Sequence, residues 1–146
     1  MPRDGKVWAI DARYSWLYWF PRDCPRACFW AVETTTDEDV ELWLDGDRTR
    51  RVAVVENRWL DRMRTVTLYG YRMPREPFDV VEDDRFYIAS TTVDAIERVE
   101  VGDLLARHAD AEVELRISPT LYPLWDRVVE TTLDYSGIRL RNAVRA

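Results

Sequence analysis

Apolar positions fall into short blocks separated by turn residues, and the blocks differ in period. "KVWAI" (6–10), "ACFWAV" (27–32) and "RVAVVE" (51–56) are continuous runs with the length and composition of buried strands. "TVTLYGYRM" (65–73) alternates instead, placing Val66, Leu68, Gly70 and Arg72 opposite Thr67, Tyr69, Tyr71 and Met73. "RFYIAS" (85–90), "AIERVEV" (95–101) and "EVELRI" (112–117) are predicted as further strands.

Helical spacing and caps occupy the intervals. Asp11 is placed to cap a helix carrying Trp16, Trp19 and Phe20 on one side and Tyr14 and Tyr18 on another. Pro21 and Pro25 end it, because the residue before a proline avoids the α region. Thr36 and Asp39 resemble a capping box for "DEDVELWL" (37–44), with Gly46 just past its end. Asn57 is expected to cap "RWLDRMR" (58–64), which presents Trp59, Leu60 and Met63. "GDLLARHA" (102–109) is expected as a short helix, and Ser118-Pro119 as a turn. Pro123 suits the first turn of a helix carrying Leu124, Val128, Val129 and Leu133. "GIRLRNAV" (137–144) is predicted as a final edge strand, with Arg139 and Arg141 on one face and Ile138 and Leu140 on the other.

Strands and helices interleave, yet several strands alternate as half-exposed antiparallel pairs do. The expectation is an α+β fold, one globular domain over residues 1–146 with a mixed, mainly antiparallel sheet and several short helices. No G-x-G-x-x-G follows the first strand, which argues against a doubly wound parallel fold.

Composition narrows the partners. The chain is 47% hydrophobic and 33% charged, a globular balance. Seven tryptophans, at positions 8, 16, 19, 30, 43, 59 and 125, will dominate the core or line a pocket, since each buries on the order of 200 Å². A net charge of −6 argues against nucleic acid, whose binders carry a basic footprint. No apolar run approaches the ~18 residues of a membrane helix. The first residues hold Arg3, Asp4 and Lys6 and no apolar signal region, so a cytoplasmic location is expected. Cys24 and Cys28 have C-x3-C spacing, unlike zinc or thioredoxin-type motifs, and the one histidine is far away. Neither a metal, a cofactor nor a disulfide is expected.

Candidate chemistry concentrates in "FPRDCPR" (20–26). In one reading Arg22 and Arg26 clamp an anion, since the planar guanidinium fork fits phosphate or carboxylate. Tyr18, Trp19, Phe20 and Trp30 would then stack a ring, Asp23 would orient a guanidinium, and Cys24 would be a thiol of lowered pKa. In the other reading the prolines fix a turn, Asp23 pairs with an arginine and Cys24 packs as a small hydrophobe. Arg139 and Arg141, near Asp134, Tyr135 and Asn142, pose the same choice between anion binding and internal pairing. His108 lies in a charged stretch beside Arg107 and Asp110 and is read as a surface residue. The acidic stretches "TTTDEDVE" and "VVEDD" lack a calcium-loop pattern and read as solvated faces. No side chain offers itself as a general acid or base, so no enzyme class is assigned.

"VWAIDARYSWLYWFPRDCPR", "LYGYRMP", "VGDLLAR", "ELRISPTLYPLWD" and "TTLDYSGIRLRNA" together resemble a bacterial family classed as a domain of unknown function, over about Val7 to Asn142. The F-P-R-D-C-P-R and R-x-R-N-A blocks carry most of that resemblance. It implies no activity. It does imply an additional first strand reading roughly Tyr-His-Phe-Ser-Glu, which "MPRDGK" does not contain. A late start or a shortened member is therefore expected, with an open sheet edge that favours a homodimer. A histidine-bearing first strand followed by strand–helix–strand is similar to the opening of ADP-ribosyltransferase-like folds, which bind NAD or ADP-ribosylated substrates. That likeness implies Arg22 and Arg26 at a pyrophosphate and Trp8 or Tyr18 against a ring, with catalysis doubtful without the histidine.

Two functional readings follow. One is a domain holding a nucleotide or other phosphate-containing small ligand through Arg22, Arg26, Trp19, Tyr18, Arg139 and Arg141. The alternative is a non-catalytic protein–protein interaction domain whose arginines pair internally. The first predicts that Arg22→Ala or Arg26→Ala weakens binding without unfolding the protein.

Overall fold

A computed structural model of the chain describes residues 6–81 and 85–144. The first half holds β1 (Val7–Ile10), β2 (Arg26–Trp30), β3 (Arg51–Glu56) and β4 (Tyr69–Arg72). β5 (Asp79–Val81), β6 (Phe86–Ala89), β7 (Glu97–Glu100), β8 (Val113–Ser118) and β9 (Asp134–Ile138) follow. The α-helices are α1 (Asp37–Leu44), α2 (Leu60–Thr65), α3 (Leu104–Asp110) and α4 (Leu124–Val128), with 3₁₀ segments between some of the elements. The fold is α+β with mostly antiparallel strands, as the pattern predicted.

A four-stranded sheet in the order β8-β3-β2-β9 forms the centre. β2 runs antiparallel to both β3 and β9, while β3 runs parallel to β8. The continuous apolar runs of β2 and β3 make sense here, because both faces of the sheet are covered. Cys28, Trp30, Ala53 and Val55 pack on one side with Trp16, Leu17, Met63 and Leu104. Ala27, Phe29, Val52 and Val54 pack on the other with Val40, Leu44, Leu121 and Val128. Two further antiparallel sheets, β1-β6-β5 and the β4-β7 ladder, lie outside this centre. The β4 and β7 strands are the more exposed, with β7 exposed throughout.

Caps were the most legible local feature. Asp11 accepts the Tyr14 N–H at 2.9 Å, and Thr36 accepts that of Asp39 at 3.2 Å. The chain leaves α1 through two left-handed residues, Asp45 at φ 53° and Gly46 at φ 80°. The segment after Asp11 is a 3₁₀ helix, Ala12–Tyr18. At seven residues it is longer than 3₁₀ runs usually are.

Three expectations are corrected. Asn57 does not cap a helix: it opens a 3₁₀ turn, Asn57–Trp59, that runs directly into α2. The last strand is Asp134–Ile138 rather than 137–144, and Leu140–Asn142 forms a 3₁₀ turn. The β2–β9 ladder stops at Arg26↔Ile138 because the next residue on β2's side is Pro25, which has no N–H to donate. Arg139 then turns the chain at φ 57°, so Arg139 and Arg141 do not share a strand face.

The third correction is His108, expected at the surface and in fact 1% exposed. Its position four residues after buried Leu104 puts both on the inner face of α3. Nδ1 lies 2.7 Å from the Leu104 carbonyl, and ring edges of Trp19 and Phe20 approach at centroid distances of 5.8 and 5.0 Å. Nδ1–H therefore donates, and Nε2 is buried without a partner. Burial holds the His108 pKa below its ordinary value, since a charged ring here would be desolvated. The unfolded chain takes up the proton first, so stability falls as pH drops below ~6.5. The thermal midpoint is expected to decline between about pH 7 and pH 5, and His108→Phe to flatten that decline. An equally steep decline in the variant would place its cause elsewhere.

Candidate functional site

The two arginine-bearing blocks of the sequence meet at one end of the central sheet. Cys24 N–H bonds the Pro21 carbonyl at 3.1 Å, closing the turn that carries Arg22 and Asp23. Across from it, the turn after β9 carries Arg139 and Arg141. Asn142 Nδ2 donates to the Asp23 carbonyl at 2.8 Å, and Arg139 Nε lies 3.8 Å from an Asp23 carboxylate oxygen. Asp23 and Arg139 both adopt left-handed backbone, at φ 67° and 57°. For arginine that conformation costs ~1 kcal/mol or more, a kind of strain that gathers at functional loops. Gly137 is needed on this rim, because a Cβ there would sit 2.5 Å from the Trp125 ring.

Between the turns lies a cleft of about 600 Å³, walled by Tyr18, Phe20 and the two turns and floored by Arg26. Arg26 is 4% exposed. Its Nε and one terminal nitrogen donate to the Leu17 carbonyl at 3.2 and 3.0 Å, and the other donates to the Cys24 carbonyl at 3.1 Å. Its guanidinium lies over the rings of Phe20 and Tyr18, at 5.0 and 5.3 Å. No carboxylate pairs with it among the described residues. Burial consequently pushes its pKa below the ordinary arginine value. Two of its five N–H donors have no protein acceptor among the bonds described.

Arg22 and Arg141 are exposed on the rim and make no ion pair with the described residues. The cleft thus collects four guanidinium groups around one carboxylate, Asp23, in a chain whose net charge is −6. A second arginine group shows the contrast. Around Tyr14 and Trp30 a cleft of about 220 Å³ holds Arg13, Arg48, Arg50 and Arg51. There Arg48 pairs with Asp37 at 2.6 Å and Arg50 with Glu114 at 3.4 Å. Carboxylates thus pair with two of the four arginines of that second group, against one of the four in the Arg26 cleft.

Several expected residues lie elsewhere. Trp19 packs on His108 and beneath the Arg107 guanidinium, and it lines a separate cleft rather than that of the four arginines. Trp30 stacks edge-on with Trp16 in the core. Cys24 and Cys28 are free and fully buried, and burial pushes both thiols up to about 12. The reactive-thiolate reading of Cys24 is therefore overturned: desolvation outweighs the nearby Arg26 charge. Asp23 does orient a guanidinium, but it is that of Arg139.

The sequence did not reveal a larger aromatic cleft of about 800 Å³ between β1 and β4. Trp8, Tyr69 and Tyr71 line it at 50, 48 and 58% exposure. Tyr18 borders this cleft and the arginine cleft alike.

The chain belongs to the DUF6886 family of unknown function. The family model matches residues 2–143, so both arginine turns and both clefts lie within the DUF6886 region. No curated protein and no solved structure matches this DUF6886 chain. Among the described residues no group of His, Cys, Asp and Glu could hold a metal ion, and no helix is long and apolar enough to cross a membrane. The acidic residues 82–84 of "VVEDD" and the opening residues 1–5, where the extra strand was sought, lie outside the described residues.

Proposed function

We propose that this chain binds a small phosphate-containing ligand between the 21–23 and 139–141 turns, with Arg22, Arg139 and Arg141 contacting the phosphate above Arg26. The observation that carries this reading is Arg26 itself. A buried charge costs several kcal/mol unless an opposite charge offsets it, and the one carboxylate lining the cleft, Asp23, pairs with Arg139 rather than with Arg26. A phosphate in the cleft provides the missing charge and accepts the remaining N–H donors. Its one lining carboxylate and the absence of an accessible thiol or imidazole among the described lining residues support binding rather than catalysis.

The test is calorimetric titration of inorganic phosphate and pyrophosphate into the wild type and an Arg22→Ala, Arg141→Ala double variant. Saturation at about 100 times Kd adds roughly 2.7 kcal/mol to stability, visible as a raised thermal midpoint. The expected result is binding by the wild type and at least a tenfold loss in the variant, with unchanged stability in the absence of ligand. Equal binding by both proteins sinks the reading.

A second reading, a protein–protein interaction domain or homodimer, is favoured by the exposed Tyr69, Tyr71, Ile96 and Val99 on and beside the β4-β7 ladder. β1 also has a partner on one side only among the described residues. Concentration-dependent mass in light scattering, with no response to phosphate, would support it instead.

A further inference from the structure

We infer that the ligand is a phosphate ester of a planar aromatic group, its phosphate in the arginine cleft and its ring in the neighbouring aromatic cleft. This rests on the phosphate-binding reading above and specifies the class of compound.

The two clefts divide the chemistry between them. In the arginine cleft the cations are under-neutralised and the ring faces are partly used by Arg26. In the aromatic cleft the situation is reversed. Arg72 pairs with Glu97 at 2.9 Å, and Arg75 lies over Tyr87 and donates to the Phe78 carbonyl. Only two arginines line it, one of them paired with a carboxylate, while Trp8, Tyr69 and Tyr71 keep large exposed surfaces. A phosphate meets fewer cations there than between the four arginines of the first cleft, and a ring has abundant faces.

Tyr18 connects the clefts. It is 43% exposed and borders both. Its ring meets Phe86 edge-on at 6.3 Å, and Phe86 meets Trp8 edge-on at 6.5 Å. Trp8, Phe86 and Tyr18 thus form a continuous aromatic row from the second cleft to the wall of the first. At about 600 and 800 Å³ each cleft is large enough to admit its part of a small ligand, since whole ligand pockets are typically ~300–1,000 Å³. β1 and β4 border the aromatic cleft, and each has a ladder partner on one side only among the described residues. Backbone N–H and C=O groups on their other sides can meet the heteroatoms of a ring edge.

The experiment compares pyrophosphate, ribose 5-phosphate, ADP, GDP and CDP by calorimetry at fixed ionic strength, using wild type, Trp8→Ala and Trp8→Phe. Stacking on an aromatic side chain changes affinity by roughly 5- to 150-fold. At least one nucleoside diphosphate is expected to bind at least tenfold more tightly than pyrophosphate. Trp8→Ala should remove that advantage, Trp8→Phe should restore most of it, and pyrophosphate binding should be unchanged in both. Nucleoside diphosphates no tighter than pyrophosphate would overturn the inference and leave the phosphate site standing. No binding by any of the five would overturn both. An advantage that survives Trp8→Ala would also overturn it, because the ring would then sit elsewhere.

Discussion

Glu56→Ala is expected to destabilise the protein by about 3 kcal/mol. Glu56 is fully buried at the end of β3. One carboxylate oxygen accepts the N–H of Leu121 at 3.2 Å and that of Val144 at 2.8 Å, and the other takes Arg58 Nε at 3.3 Å. It therefore ties the loop after β8 and the C-terminal segment to the central sheet. Arg58 is half-exposed, at 52%, and can return to water when its partner goes. The buried Leu121 N–H cannot, and an unsatisfied buried group costs roughly 1–3 kcal/mol. The cavity left by the side chain adds to this. Glu56→Gln should cost much less, because its amide oxygen can still accept both N–H groups. Urea denaturation of the three proteins checks the ranking. Equal losses in Ala and Gln would mean that the charge, rather than the backbone bonds, is what matters.

Arg26→Ala is expected to destabilise by about 2 kcal/mol, whereas Arg22→Ala should stay within ~0.5 kcal/mol of wild type. The sign for Arg26 is a contest. Losing it strips the donors from the Leu17 and Cys24 carbonyls and leaves a cavity beneath Phe20 and Tyr18. It also removes a buried charge that no carboxylate among the described residues offsets. Three hydrogen bonds and two ring faces already compensate much of that charge, so the lost contacts should win. A wild-type midpoint in urea would reverse that ordering and show that the uncompensated charge is held at a cost to stability. Arg26→Ala is consequently a poor probe of binding, because fold and site change together. The expectation that either alanine variant leaves the fold intact is therefore kept for the exposed Arg22 and replaced for the buried Arg26.

The difference between those two arginines shows where sequence reasoning ended. Both sit in one six-residue turn, and nothing local distinguishes them. Arg26 is buried because it is the first residue of a strand flanked on both sides, by β3 and β9. The pairing with β9 joins residues more than a hundred positions apart, Arg26 and Ile138. The surroundings of Trp19 were undecided for a similar reason: its helical spacing was visible, but the direction it faced depended on where α3 docked. His108 was partly legible, since its four-residue spacing from Leu104 marked an inner helix face that its charged neighbours obscured.

Local chemistry by itself determined the caps at Asp11 and Thr36, the buried strands β2 and β3, and the α+β class. Those features depend on hydrogen bonds and side-chain periods that operate within a few residues. It also located the arginine-rich blocks around residues 22 and 139. Only the tertiary structure decided that these blocks face each other across one cleft, that Asp23 serves Arg139, and that the aromatic cleft adjoins at Tyr18. Strand register and helix docking are long-range choices, set by how two sides of a sheet are covered, and no short stretch of this chain encodes them alone.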